Sequence, residues 1–162
     1  MRRFLVPLVL STFAAPALAD SVVSERTVSA DAALAALHAA LEACRKDGQH
    51  VSVTVVDASG RVKASVRDEG AAPHTDVHSF RKAYTALSYR MPSAEVGKRA
   101  AEAKGANIGP QLLPNMTTSA GGVPIKVGDA VIGAVGVSGT PSSAGGGEGD
   151  AKCAAVGVAA VK

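Results

Sequence analysis

The chain has 162 residues, a length that fits one domain, with 19% charged and 3% aromatic residues. Its formal net charge is +3. The basic residues are scattered and no aromatic platform interleaves with them, which excludes a nucleic-acid partner recognised through a basic stripe.

The N-terminus reads as an export signal. Arg2 and Arg3 supply a positive start, residues 4–15 form an apolar run too short to span a bilayer, and Ala17-Leu18-Ala19 is an A-x-A cleavage site. Residues 1–19 are therefore expected to be a signal peptide and residues 20–162 one domain, periplasmic or secreted. Without Arg2 and Arg3 the charge falls to +1, from 15 basic and 14 acidic residues. No later stretch is apolar enough to serve as a membrane anchor.

A first helix is predicted over residues 30–47, capped by Ser29, with Leu34, Leu37, Leu41 and Cys44 on one side and Gly48 at its end. Residues 50–57 and 61–67 read as two strands joined at Asp57-Ala58-Ser59-Gly60, the second presenting Val62, Ala64 and Val66 on one face. A helix capped by Thr75 or Asp76 runs to about Arg90. Pro92 interrupts it, and Ser93 caps another that ends at Gly105. Residues 106–120 read as a long loop. Residues 123–127 and 130–138 form a second hairpin around Gly128-Asp129. Residues 142–149 are a glycine-rich joint, and residues 150–161 a last helix. This order gives one antiparallel sheet with helices packed on it.

The aromatic residues after the signal are Phe80, Tyr84 and Tyr89, all on the helix that follows the first hairpin. Helical spacing sorts that helix into two stripes. Val77, Phe80, Tyr84, Leu87 and Met91 should face the sheet. His78, Lys82, Thr85 and Tyr89 lie on a neighbouring stripe, with His74 four residues before His78. Imidazole, ammonium, hydroxyl and phenol beside an apolar wall suit a flat apolar ligand with anionic groups, as haem is. His78, a Tyr or another oxygen donor is the candidate iron ligand, and Arg81 or Lys82 the cation for the propionates. The bland alternative is a solvated helix face. A zinc site at His74 and His78 lacks an H-E-x-x-H carboxylate and a third ligand. His38 and His50 read as structural.

Gly133, Gly136 and Gly139 match no nucleotide-binding fingerprint, and signal close approach by a backbone, ligand or second subunit. Ser138 stands in no G-x-S-x-G elbow. Cys44 and Cys153 form either a disulfide or two separately buried thiols.

Six segments in order resemble the GlcG/HbpS family: Val55-Val56-Asp57-Ala58-Ser59-Gly60, Arg67-Asp68-Glu69-Gly70-Ala71, Arg81-Lys82-Ala83-Tyr84-Thr85-Ala86, Gly121-Gly122-Val123-Pro124-Ile125, Gly133-Ala134-Val135-Gly136-Val137-Ser138-Gly139 and Asp150-Ala151-Lys152-Cys153-Ala154. The resemblance implies a profilin-like α/β (α+β) fold, a three-layer α/β/α arrangement with a central five-stranded antiparallel sheet. The fifth strand would fall within residues 112–120. It further implies a homo-oligomer, Cys44 and Cys153 near each other, and a haem or tetrapyrrole ligand, with corrinoid as a variant. Lys82 and Thr85 carry over most directly from its motifs, while Glu69 departs from the family's D-G-A loop. The function expected is an exported, non-enzymatic haem- or tetrapyrrole-binding protein, in haem or redox sensing. The alternatives are an enzyme or accessory protein for a small organic acid, using His78 with Arg67, Arg81 and Lys82, and a purely structural oligomer subunit.

Overall fold

The computed structural model describes residues 23–103, 113–141 and 147–162. The expected signal peptide, most of the glycine-rich joint, Leu112 and the end of the helix expected at Gly105 lie outside the described residues. The elements in order are α1 (Ala30–Lys46), β1 (Ser52–Asp57), β2 (Val62–Arg67), α2 (His74–Tyr89), α3 (Ser93–Glu102), β3 (Gly122–Val127), β4 (Ala130–Ser138) and α4 (Glu148–Ala159). Among the described residues no helix is long and apolar enough to cross a membrane.

Local chemistry sets the boundaries. The Ser29 hydroxyl accepts the Ala32 N–H at 3.2 Å and starts α1. In the β1–β2 turn Asp57 Oδ1 accepts the backbone N–H groups of Ser59 and Arg61, both at 3.0 Å, and Gly60 takes φ +78°. α2 begins at His74 behind Pro73, without a side-chain cap. Thr75 and Asp76 therefore stand inside its first turn, and left-handed Arg90 closes the helix.

The sheet is antiparallel throughout, in the order β2-β1-β4-β3. It has four strands among the described residues rather than five: residues 113–120, where a fifth was expected, are turn and coil. Pro114, inside that stretch, lacks the N–H that a ladder needs.

β-alternation divides the strands between two helical layers. Val53, Val55, Val135, Val137 and Ile125 face α1 and α4, and with Ala33, Ala36, Ala40, Leu41, Cys44, Cys153 and Ala154 they form the main core. The opposite face carries Ser52, Thr54, Val56, Ala134 and Gly136, and against it lies α2. The expected three-layer arrangement is thus present.

Three expected faces are turned. α1 buries Ala33, Ala36 and Ala40, whereas Leu34 is 57% exposed. The cause is a close crossing with α4, where a Cβ on Gly157 would stand 2.7 Å from Ala36 O. α2 buries Thr75, Ser79, Lys82, Ala83, Thr85 and Ala86. Val77 is exposed, and Phe80 and Leu87 pack only at the flank. A Cβ on Gly136 would collide with the Ser79 carbonyl and the Ala83 amide, so the helix backbone lies directly on the sheet. A backbone is therefore what approaches the glycine. Val62 also faces solvent, because a register irregularity at Val55/Val56 breaks the alternation of β2.

Cys44 and Cys153 are joined in a disulfide, Cα–Cα 5.6 Å, which ties α1 to α4 on the same side of the sheet.

Candidate functional site

Several element ends meet in a polar cavity of about 420 Å³. The first turns of α2 contribute His74, Thr75, His78 and Lys82. The end of β4 and the residues after it contribute Ser138, Gly139 and Thr140. Asp150 comes from the first turn of α4, Ser119 from the segment before β3, and His50 from the segment before β1. Gly70 and Ala72 complete the lining.

The floor is a buried ion pair. Lys82 Nζ donates to Asp150 Oδ2 at 2.6 Å, with side chains 3% and 4% exposed. The Thr140 N–H donates to Asp150 Oδ1 at 2.9 Å. Gly121 makes room for the pair. A Cβ there would stand 2.8 Å from Lys82 Cδ and 2.9 Å from Asp150 Cβ, and its φ of +126° suits glycine.

His78 stands above this floor. Its Nδ1 lies 3.3 Å from Ser138 Oγ and its Nε2 3.3 Å from Thr117 Oγ1. Burial pushes the imidazole below its ordinary pKa; the Lys82 charge adds to this and Asp150 opposes it. The shift favours the neutral ring, the form that ligates metals. The group at its far nitrogen is a hydroxyl, where a Ser-His-Asp triad has a carboxylate. Among the described residues no three His, Cys, Asp or Glu side chains cluster as a metal site.

Of the residues expected to bind a ligand, His74, His78 and Lys82 line the cavity and Arg81, Thr85 and Tyr89 do not. Arg81 is exposed on α2. Thr85 is buried and structural in its contacts: its Oγ1 accepts the Thr117 N–H at 3.0 Å and so holds residues 113–120 against α2. Tyr89 lies eleven residues beyond His78, about 16 Å along the axis, too far to share one compact pocket. Arg67 donates to the Ala71 carbonyl at 2.9 Å and shapes the loop before α2. Spacing within α2 could not reveal Asp150, Ser138, Thr140, Ser119 or His50. Asp150 did have a signal, as an acidic residue one turn ahead of Cys153 in a helix of small apolar residues. His50, expected to be structural, stands at the cavity with its ring 3.5 Å from Asp68 Oδ2.

Comparison with known proteins agrees with this architecture. Among curated proteins no sequence matches the chain. A double-mutant form of HbpS from Streptomyces reticuli superposes with a TM-score of 0.81 at 34% identity, covering 94% of this chain and 99% of that one. A Klebsiella pneumoniae protein, ORFY, gives 0.77 at 24% identity over 90% and 97% of the two chains. A PduOC:heme complex gives 0.74 at 23% identity over 84% and 96%. The last two show the shared fold. The sequence profile of the HbpS-like haem-degrading proteins matches residues 28–159, nearly all of the described domain. The chain belongs to the HbpS-like family of haem-degrading proteins.

Proposed function

We propose that this protein binds haem outside the cytoplasm, through the cavity between the start of α2 and the start of α4. The observation that carries the reading is the convergence of His74, His78 and Lys82 on one cavity in a member of the HbpS-like family. The donor set fits the group: imidazole nitrogens suit the iron, and Lys82 on the floor or Arg81 on the adjoining surface suits a propionate. Bound haem supplies the iron chemistry; the chain supplies position and charge. The PduOC:heme complex, a relative in fold, adds support for a tetrapyrrole. The export-like N-terminus and the Cys44–Cys153 disulfide support an oxidising compartment. The chain is expected to form a homo-oligomer, and light scattering of the purified protein checks this.

The test is titration of haem into the oxidised protein. A shifted, saturable Soret band is expected at micromolar haem, lost or moved in His78→Ala. An unshifted Soret band would refute the reading, and cobalamin serves as the corrinoid comparison. The family's description favours one second reading, in which bound haem is consumed rather than held. Loss of the Soret band on adding peroxide, at a rate that depends on His78, would establish it.

A further inference from the structure

We propose that Thr117 is a latch on His78: its hydroxyl covers the one imidazole nitrogen that a large ligand can reach, and Thr117 must swing aside before that nitrogen can ligate. That the ligand is haem rests on the reading above; the latch itself is a property of the haem-free chain.

Both ring nitrogens of His78 are engaged. Nδ1 lies 3.3 Å from Ser138 Oγ, and Nε2 lies 3.3 Å from Thr117 Oγ1. Each nitrogen has one in-plane position, holding either a proton or a lone pair. In either tautomer, a metal can take a nitrogen only after the hydroxyl facing it has withdrawn.

The two hydroxyls are not equally able to withdraw. Ser138 is buried at the end of β4 and paired with Ser52 of β1. The next residue is packed so closely that a Cβ on Gly139 would stand 2.6 Å from the His50 carbonyl oxygen. Nδ1 thus faces the seam between α2 and the sheet. There the helix backbone lies directly on Gly136, and no planar ligand fits between them. Nε2 is the nitrogen left for a ligand.

Thr117 belongs to residues 113–120, which are turn and coil and join no strand among the described residues. The segment is fastened unevenly. Ser93 Oγ donates to the Ser119 carbonyl at 2.8 Å and itself accepts the Gly122 N–H at 2.9 Å. A Cβ on Gly97 would collide with the Thr118 carbonyl, so α3 grips residues 118 and 119 closely. Thr117 is held by its N–H, which Thr85 Oγ1 accepts at 3.0 Å, and by its hydroxyl at His78. The hinge therefore falls at Thr118, and the latch opens when the contacts to Thr85 and His78 part. It opens onto the cavity, because Ser119 lines that space with its Oγ 3.3 Å from Thr117 Oγ1. Each contact biases the closed form about three- to tenfold. Apparent affinity falls with the fraction closed.

The experiment uses the oxidised full chain and two readouts. In the haem-free protein, diethyl pyrocarbonate at neutral pH acylates accessible imidazoles. Peptide mass spectrometry follows His78 beside His38, an exposed histidine on α1. Thr117→Ala should speed modification of His78 about three- to tenfold, the loss of one hydroxyl contact, and leave His38 unchanged. Thr117→Ser keeps the hydroxyl and should keep the parent rate. In the second readout the same three proteins are titrated with haem. Thr117→Ala should bind about three- to tenfold more tightly, and Thr117→Ser like the parent. A His78 rate in Thr117→Ala equal to the parent's, or Thr117→Ser as fast as Thr117→Ala, overturns the proposal. Equal haem affinity in parent and Thr117→Ala also overturns it, and leaves the haem reading standing. If none of the three shifts the Soret band while the modification pattern holds, the haem reading falls and the latch on His78 stands.

Discussion

Replacing Lys82 alone by methionine should be among the most damaging single changes in the domain. At 2.6 Å and an effective dielectric of about 20, the Lys82–Asp150 attraction is about 6 kcal/mol. Each ion has also lost several kcal/mol of hydration, since the side chains are 3% and 4% exposed, so the intact pair contributes little net stability. Methionine fills the lysine stem's space but removes the attraction, and leaves the Asp150 carboxylate desolvated with one remaining hydrogen bond, from Thr140. The expected loss is about 3–5 kcal/mol, a large share of the roughly 5–15 kcal/mol typical of a whole domain. Adding Asp150→Asn should recover most of it, because asparagine still accepts the Thr140 N–H and carries no charge. The assay is urea unfolding at neutral pH with the disulfide intact. A Lys82→Met cost below about 1 kcal/mol, the range of exposed pairs, would refute the reasoning, as would a double variant no more stable than the single one.

Opening the Cys44–Cys153 bridge by paired serine substitution should lower stability by about 4–5 kcal/mol on loop-closure grounds, since it spans 109 residues; unfolding with and without reductant measures it. Gly136→Ala should cost about 3 kcal/mol through overpacking, since its Cβ would stand 2.0 Å from the Ser79 carbonyl oxygen. Gly128→Ala, whose added methyl meets nothing within 4 Å, should cost about 1 kcal/mol from its left-handed backbone alone, so an equal loss at both sites would contradict the close seating of α2. Asp68 is held well below the ordinary carboxylate range, chiefly by hydrogen bonding to Arg45. Because its folded pKa is depressed, its contribution is present at neutral pH and is lost on acidification below about pH 5. Asp68→Asn should therefore be less stable than the parent at pH 7 and converge with it in acid, as followed by urea midpoints. His78 also has a depressed folded pKa, so below about pH 6.5 the unfolded chain takes up a proton more readily and stability falls. His78→Gln should flatten that limb.

What the sequence conveyed and what it hid divide by residue size. β1 and β4 were legible because valine alternates through them, α1 because its Ser29 cap is chemically plain, and α2 because Pro73 and Pro92 break the chain on either side of it. Helix orientation was not legible. Amphipathic periodicity weights bulky side chains, and this domain buries its small ones. The α1 seam is Ala33, Ala36 and Ala40 against Gly157; the α2 seam is Ser79, Ala83 and Ala86 against Gly136. Leu34 and Val77 look like core residues and are displaced to the surface because the backbones approach too closely to admit them. The same rotation split the stripe expected to bind a ligand. His78 and Lys82 reached the cavity, while Thr85 became the anchor for residues 113–120. The carboxylate partner of Lys82 lies 68 residues away, a distance that no local pattern bridges.

The position of that partner explains why the site depends on residues with no chemistry of their own. α2 and α4 lie on opposite faces of the sheet, so Lys82 and Asp150 can meet only around its end, past the start of β3. Any side chain on Gly121 would occupy the path, and any side chain on Gly136 would lift α2 and carry Lys82 away from it. Hydroxyl pairs set the height of the first turns of α2 over the sheet: Ser52 to Thr75 at 2.7 Å and Thr54 to Ser79 at 2.8 Å. The disulfide sets α4 from the other side. The cavity is thus the space left where two helices, each fixed to its own face, close on each other across the sheet's edge. Its polar floor follows from their contact there being an ion pair rather than a hydrophobic one.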